Sequence, residues 1–513
     1  MAGYLLGMDI GTTNVKAVLF TGAGEAVAQA RAEYPTHFPA VGWAEQDPEL
    51  WWQAAITVLR GVIAQAKINP GEIAALSISS QAPTMLPVND QGDPLRPALI
   101  WMDRRSEEQC NYLRQEIGEE RMLRVTGNRI DPYFMLPKLL WFKKYEPQLF
   151  QQTARVLQAN GYLNYKLTGR FSLDRAHASL TQVYDVHTGQ VAFDLCQELG
   201  LPPELFPELY DCAAVIGGVT REAAASTGLT PGTPVVAGTV DGAAAAMETG
   251  VIGPGEAVEM SGTSTVVLLG SASLNNNGRL ISMYHALKGH YLVIGAASST
   301  GASLKWFRDQ FGYMERLAAE ELKLDAYDLM NLEASTVSLD AGGIIFLPYM
   351  MGERSPIWDT YARGVFVGLT LKTTRGQMIR AIMEGAAFAL YHNLQEAAAI
   401  GLEVKELRCV GGGALSTLWL KIKASVTNLP VMVPETSLGA PFGDALLAGA
   451  GIGMYKDIIT LTKDLIRFKQ RIEPDSRWHA IYQELYEVYR DLYNHIRADL
   501  FKLAHIKAGI RGP

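Results

Sequence analysis

The 513-residue chain has only four cysteines, Cys110, Cys196, Cys212 and Cys409, far apart and with no C-x-x-C pair. That excludes a disulfide framework, a zinc knuckle and a dithiol redox motif, and it suits a reducing cytoplasm, the expected location. Charge is also scarce, at 19% of residues, with no long run of one sign; 53 acidic against 45 basic residues leave a net charge of −8. Such a balance favours neither a nucleic acid nor an anionic membrane as partner. No apolar run approaches the ~20 residues that a membrane-spanning helix needs. The opening residues reach Asp9 without a basic flank or a long apolar core, unlike a signal peptide. The nine histidines form no metal-like cluster. What is plentiful is apolar material, 48% of the chain, enough for two large or roughly three ordinary domain cores.

The pattern of that material is α/β. Residues 4–8 and 15–20 read as two strands joined by the glycine-bearing turn Asp9-Ile10-Gly11-Thr12-Thr13-Asn14. A helix follows, with Asp47 as cap, Pro48 at the first position, and Trp51, Ala55, Val58, Val62 and Ala66 at helical spacing. Residues 73–79 form a buried strand, and strands and helices then alternate to about Gly250. The opening plan returns 251 residues later, where residues 255–269 again place a Gly-Thr turn, Gly262-Thr263-Ser264, between two apolar runs. Two similarly built lobes, 1–252 and 253–513, are therefore expected. In the second, Ile379, Ile382, Ala386 and Ala389 mark a long helix, and a strand over 405–410 runs into Gly411-Gly412-Gly413. The last helix carries Trp478, Ile481, Leu485, Val488, Leu492 and Ile496 on one stripe, packed on a lobe or forming the seam of a homodimer.

Several segments carry chemistry. In Gly7-x-Asp9-x-Gly11-Thr12-Thr13, a tight turn lets backbone N–H groups approach phosphate oxygens, and the carboxylate at the strand end can hold a hydrated Mg²⁺. The same tetrad also occurs in ordinary hairpins, where Asp and Thr merely satisfy the backbone. Its partner turn in the second half favours the first reading, because two such turns can grip one polyphosphate. Asp241 lies at a strand-to-helix junction among small apolar residues, Thr239-Val240-Asp241-Gly242-Ala243. It serves as a helix cap, as a general base, or as both. Three glycines directly after the strand at Cys409-Val410 let the backbone of Gly412, Gly413 and Ala414 lie against a flat or anionic ligand.

These segments, in this order along the whole chain, resemble the FGGY family of carbohydrate kinases. The stretch from Gly364-Val365-Phe366 to Met383-Glu384 is similar to the family's second signature throughout. Tyr133 to Phe142 keeps the Lys138-x-x-Trp141 core of the first signature, with Met135 where a small or hydroxyl residue or proline is usual. The resemblance implies two ribonuclease H-like lobes of the actin and sugar-kinase superfamily, with ATP and Mg²⁺ in the cleft between them. It implies that Asp9 organises Mg²⁺, that Gly11, Thr12 and Thr13 contact the transferred phosphate, and that Lys16 supports that loop or the phosphate charge. Gly262, Thr263 and Ser264 would hold phosphates, Gly412, Gly413, Ala414 and Leu415 would line the adenosine pocket, and Asp241 would be the base.

The acceptor is expected around Gln81, Ala82, Trp101, Asp103 and Asp241. Glycerol kinases of the family have an Arg-Glu pair after this glutamine and bacterial xylulokinases have Met-His, whereas this chain has Ala82-Pro83. Loss of the charged pair argues against glycerol. The run Gly352-Glu353-Arg354-Ser355-Pro356-Ile357-Trp358 looks most like xylulokinases. Trp101-Met102-Asp103-Arg104-Arg105 offers a stacking face and polar groups, or else a capped, solvated helix start. The expected activity is phosphoryl transfer from ATP to a ketopentose such as xylulose. Ribulose, gluconate and a linear signalling sugar are the alternative acceptors, and a nucleotide-switched ATPase of the actin or chaperone type is the alternative class.

Overall fold

The computed structural model describes residues 3–274 and 277–506. Met1 and Ala2, which open the segment unlike a signal peptide, lie outside the described residues. The elements that position the candidate site are, in chain order, β1 (Tyr4–Ile10), β2 (Asn14–Thr21), β3 (Ala26–Glu33), α1 (Pro48–Ala66), β4 (Ile73–Ser80), β5 (Val215–Gly218), β6 (Pro234–Val240), α2 (Asp241–Glu248), β7 (Glu256–Ser261), β8 (Thr265–Ser271), β9 (Tyr291–Ala297), α3 (Thr300–Phe311), α4 (Arg375–Ala399), β10 (Glu406–Gly411), α5 (Thr417–Thr427), β11 (Val431–Pro434), α6 (Ala440–Gly451), β12 (Phe468–Ile472) and α7 (Ser476–His505). No helix among the described residues is long and apolar enough to cross a membrane.

Two compact units result. The first takes the residues up to Gly253 with Ser271–Leu292 and Leu438–Ile466; the second takes Pro254–Gly270, Val293–Ser437 and the chain from Arg467 onward. The single boundary read from the sequence, 1–252 against 253–513, misses these two returns. A physical reason lies in α6, which packs on β1 and β4 of the first unit. Gly7 makes room for it, because a Cβ there would sit 1.8 Å from the Pro441 carbonyl oxygen.

The first unit is built on a six-stranded sheet in the order β5–β6–β4–β1–β2–β3. Strand β1 is antiparallel to β2 and parallel to β4, which in turn is parallel to β6. Side chains alternate across the sheet. Leu6, Met8 and Ile10 join the core formed with Trp51, Val58 and Val62 of α1, whereas Leu5, Val18 and Phe20 pack with Ala445 and Ala448 of α6. Asp9 shares the parity of Leu5, and its carboxylate accordingly emerges toward α6. Helix α1 starts as its sequence predicts, with the Asp47 side chain accepting from Glu49 N at 2.9 Å.

In the second unit the run β9–β8–β7–β10–β11–β12 repeats this plan, with β7 antiparallel to β8 and parallel to β10. The predicted stripe of α7 packs in part: Trp478, Leu485, Leu492 and Ile496 lie half-buried against the core, beside a more deeply buried row one position on. Tyr482, Tyr486, Tyr489 and Tyr493 are buried, while Ile481 and Val488 are 41% and 54% exposed. Tyrosine occupies the inner face because its hydroxyls find partners there. Tyr482 Oη donates to Glu384 Oε1 at 2.8 Å, and Tyr349 Oη donates to Tyr489 Oη at 2.8 Å.

Candidate active site

Parallel strands β1, β4 and β6 end together. Asp9 pairs in register with Ser79 and Ile10 with Ser80, while Thr239 and Val240 lie opposite Ser79 and Ser80 from the other side. The residue after Val240, Asp241, is therefore delivered to the same edge, the carboxyl end of the strands where open α/β sheets bind ligands. Asp241 is the first residue of α2 and Val240 the cap, so the carboxylate is not committed to the usual capping bond. Its Oδ1 accepts only from the adjacent Gly242 N, at 2.6 Å. Desolvation pushes Asp241 up to about 6, opposed by that N–H and by His177.

Ser79 Oγ lies 3.2 Å from Asp9 Oδ1 and 2.7 Å from Asp444 Oδ2, the latter on buried α6. One hydroxyl proton serves only one acceptor. A neutral Asp444 donating to Ser79, which donates to Asp9, satisfies both contacts. Burial indeed raises Asp444 well above the ordinary carboxylate range, with Asp9 and Asp241 adding to the effect and Ser79 opposing it. Desolvation, then repulsion from Asp241, pushes Asp9 up to about 8, against Ser79 and Lys16. Three carboxylates are thus held close with little compensating charge.

The turn after β1 is tied by Gly11 N donating to Asn14 O at 2.9 Å, and by the Tyr34 hydroxyl donating to Gly11 O. Thr13 is exposed, and Thr12 Oγ1 accepts from Trp101 Nε1 at 3.0 Å. Lys16 does not extend into the turn. Its ammonium donates to Leu438 O at 2.5 Å and acts electrostatically on Asp9 and Glu248.

The expected acceptor residues divide. Trp101 is half-buried beside the turn, as noted. Gln81 is 1% exposed, and its Nε2 donates to Gln46 Oε1 at 2.6 Å; buried Ala82 offers its carbonyl to Tyr133 Oη at 3.0 Å. Asp103 requires correction as a direct contact. Its carboxylate is fully buried and accepts from Ala44 N at 2.6 Å and from Arg105 Nη2 at 2.8 Å. The expectation of a solvated Arg105 fails with it, since that guanidinium lies 3.7 Å from the centre of the Trp43 ring. A buried ion pair shielded by an aromatic face positions the Trp101 segment from behind.

In the second unit the turn Gly262-Thr263-Ser264 closes with Gly262 N donating to Ser264 O at 2.9 Å, and Ala302 N near the start of α3 donates to Thr263 O at 2.8 Å. Gly262 and Thr263 are exposed. Beneath them Lys423 Nζ donates to both Glu259 oxygens at 2.8 Å and to Ser261 Oγ at 2.6 Å. The triple glycine forms a single 3₁₀ turn, Gly412–Leu415, before α5. Gly412 is exposed and Gly413 and Ala414 are buried. Gly413 has a structural reason to lack a side chain, because a Cβ would lie 2.5 Å from Ser261 Oγ. Leu415 is 81% exposed.

Three residues of the first unit were not singled out by spacing. Asp444 follows Gly443 in an apolar helix, where an acid is a usable signal. Gln46 stands next to the cap of α1 and carries no motif. His177 is buried, with Nδ1 2.6 Å from Asp174 Oδ2 and Nε2 3.0 Å from Ser80 Oγ; only the fold brings those three together.

Comparison with known proteins shows the family. Residues 4–247 match the model of the FGGY family of carbohydrate kinases, N-terminal domain, and residues 257–452 match that of its C-terminal domain. A xylulose kinase of Bacillus subtilis (strain 168) is 29% identical over 496 residues, covering 96% of this chain and 97% of the relative. A glycerol kinase of Ralstonia pickettii (strain 12J) is 33% identical over 472 residues, 88% of this chain and 91% of the relative. The crystal structure of a xylulose kinase from Rhodospirillum rubrum superimposes with a TM-score of 0.88 at 31% identity, covering 97% of this chain and all (100%) of that one.

Proposed function

The chain belongs to the FGGY family of carbohydrate kinases, and from that premise we propose that it transfers the γ-phosphate of ATP to a hydroxyl of a ketopentose, with xylulose as the acceptor. The observation that carries the reading is the meeting of Asp9, Ser79 and Asp241 at the ends of three parallel strands, beside the Thr12 turn. Asp241 accepts the proton of the attacking hydroxyl as oxygen bonds to the γ-phosphorus and ADP departs. A base held at about 6 is ionised at neutral pH yet basic enough to take that proton. The turn N–H groups and the Thr12 and Thr13 hydroxyls orient the transferred phosphoryl group, which needs positioning more than covalent help. Exposed Gly262 and Thr263 of the second unit, with half-buried Ser264, offer the same donors to phosphate oxygens, and Gly412, Gly413 and Ala414 offer backbone to the adenosine.

Among the described residues no group of three or more His, Cys, Asp or Glu is arranged to enclose a metal ion. Mg²⁺ does not need one, since it keeps most of its waters and takes one or two carboxylates. The donors fit: Asp9 is a half-buried carboxylate beside Asp241 and Asp444, and buried Asp444 Oδ1 has no hydrogen-bond partner. Asp9 would hold the ion, which supplies charge neutralisation at the phosphates.

Xylulose is favoured by the two xylulose kinases above and by the Gly352–Trp358 run. Ala82 and Pro83 stand where glycerol kinases place a charged pair, which speaks against glycerol despite the Ralstonia relative. Release of ADP from Mg-ATP, measured against D-xylulose, D-ribulose, L-ribulose, D-gluconate, erythritol and glycerol with a no-sugar blank, tests the reading. Strong stimulation by D-xylulose is expected. Stimulation by another sugar alone replaces the acceptor, and a flat panel over a high blank favours a nucleotide-switched ATPase.

A further inference from the structure

The amide of Gln46 touches both loops that the proposed reaction must hold in register. It is 1% exposed and lies between the two-residue strand Glu45–Gln46 and the cap of α1, both fixed backbone positions. Gln46 Nε2 donates to Thr12 O at 2.7 Å and to Thr36 Oγ1 at 2.8 Å. Gln46 Oε1 accepts from Trp51 Nε1 at 3.0 Å and from Gln81 Nε2 at 2.6 Å. The polarity of this arrangement is determined by its ends. An indole nitrogen only donates and a peptide carbonyl only accepts, so the oxygen of Gln46 must face Trp51 and its nitrogen must face Thr12. Gln81 must then present its own nitrogen to Gln46, which leaves Gln81 Oε1 buried without a partner. All four hydrogen-bonding positions of one amide are used, and no other side chain of that size supplies two donors and two acceptors.

We infer that Gln46 is a positioning residue that locks the phosphate-binding turn, through the Thr12 carbonyl, to the acceptor-reading loop, through Gln81. The inference rests on the proposed kinase reading for the roles of the two loops, but the bridge itself does not. Other restraints exist: Gly11 is tied to Asn14 and Tyr34, and the backbone joins the two loops at their strand ends, where Gln81 N donates to Ile10 O at 2.8 Å. Gln46 is the side chain that spans them.

The test is Q46E, nearly equal in shape, which turns both donors into acceptors facing the Thr12 carbonyl. Turnover and the binding of a non-hydrolysable ATP analogue are measured beside L59A, a core truncation in the same helix α1. Leu59 is fully buried and touches neither loop through a polar group. Q46E should raise KM for both acceptor and ATP and weaken the analogue, each by about 10-fold or more, since the Thr12 carbonyl loses its donor while Gln81 still donates to the remaining oxygen, and the two loops are no longer joined through this side chain. L59A should lower the melting temperature and leave both KM values within about twofold. Unchanged KM values in Q46E, a rise in only one of them, or a rise in L59A that tracks its loss of stability would each overturn the bridge. If the wild-type protein turned over no acceptor, the kinase reading would fail, and analogue binding would still decide whether Gln46 holds the turn.

Discussion

Two hairpins of the same plan, β1–β2 and β7–β8, close on Gly-Thr turns that rest on opposite electrostatics. Under the first lie Asp9, Asp241 and Asp444, carboxyl groups crowded together with little compensating charge and all held above their ordinary range chiefly by burial. Under the second, Glu259 is neutralised within its own unit by Lys423 and by hydrogen bonds from Ser261 and Lys423. The scaffold is one and the same, down to a parallel third strand beside each hairpin. What differs is whether the charge beneath the turn is closed. A closed ion pair makes a rigid support for the turn above it. An open acid cluster costs stability and, on the proposed reading, would supply a base and a cation site, which are what phosphoryl transfer to a hydroxyl requires.

Breaking the closed pair gives the largest expected loss of stability. K423M leaves Glu259 buried and uncompensated, and about 3–5 kcal/mol should disappear from thermal or denaturant unfolding. The double substitution E259L/K423M should recover most of it, and failure to recover would mean that Lys423 acts through something other than charge closure. On the open side, the acceptor kcat/KM should fall tenfold per pH unit below about 6, because protonated Asp241 cannot accept the hydroxyl proton. An acid limb centred near 4 would remove the desolvated base from the comparison. The smallest effect concerns Asp444. Its folded carboxyl is raised above the unfolded value, so the folded state holds the extra proton and stability declines as pH rises from about 4. D444N keeps a donor toward Ser79 without that titration. It should melt about 2–4 °C higher than wild type at pH 8, with the gap closing toward pH 4; a lower melting point at pH 8 would show that burial does not raise this carboxyl.

Much of the shared scaffold was legible in the sequence. The repeated strand, Gly-Thr turn and strand announced two similar lobes, and Asp47-Pro48 marked the start of α1. Asp9 and Asp241 stood out because each acid interrupts small or apolar residues at a strand end. The rest depended on contacts distant in the chain. Asp103 and Trp101 are two residues apart, yet one is sealed under Arg105 and the other lies beside the turn. Gln46 and Gln81 meet only because α1 returns the chain to β4. Spacing on α7 pointed to its aliphatic stripe, but tyrosines took the inner face because Glu384 and Tyr349 lay within reach of their hydroxyls. The return of α6 to the first unit, with Asp444 on it, has no local signature other than glycines at close approaches.

The most direct measurement is the pair of values kcat and nucleotide affinity for D241N with D-xylulose and Mg-ATP. If the open cluster carries the chemistry and the closed cradle only holds the nucleotide, kcat falls by about 10²–10⁴-fold while the ATP dissociation constant stays within a few-fold of wild type. Turnover near the wild-type rate, or a loss confined to nucleotide binding, would contradict the assignment of the two turns.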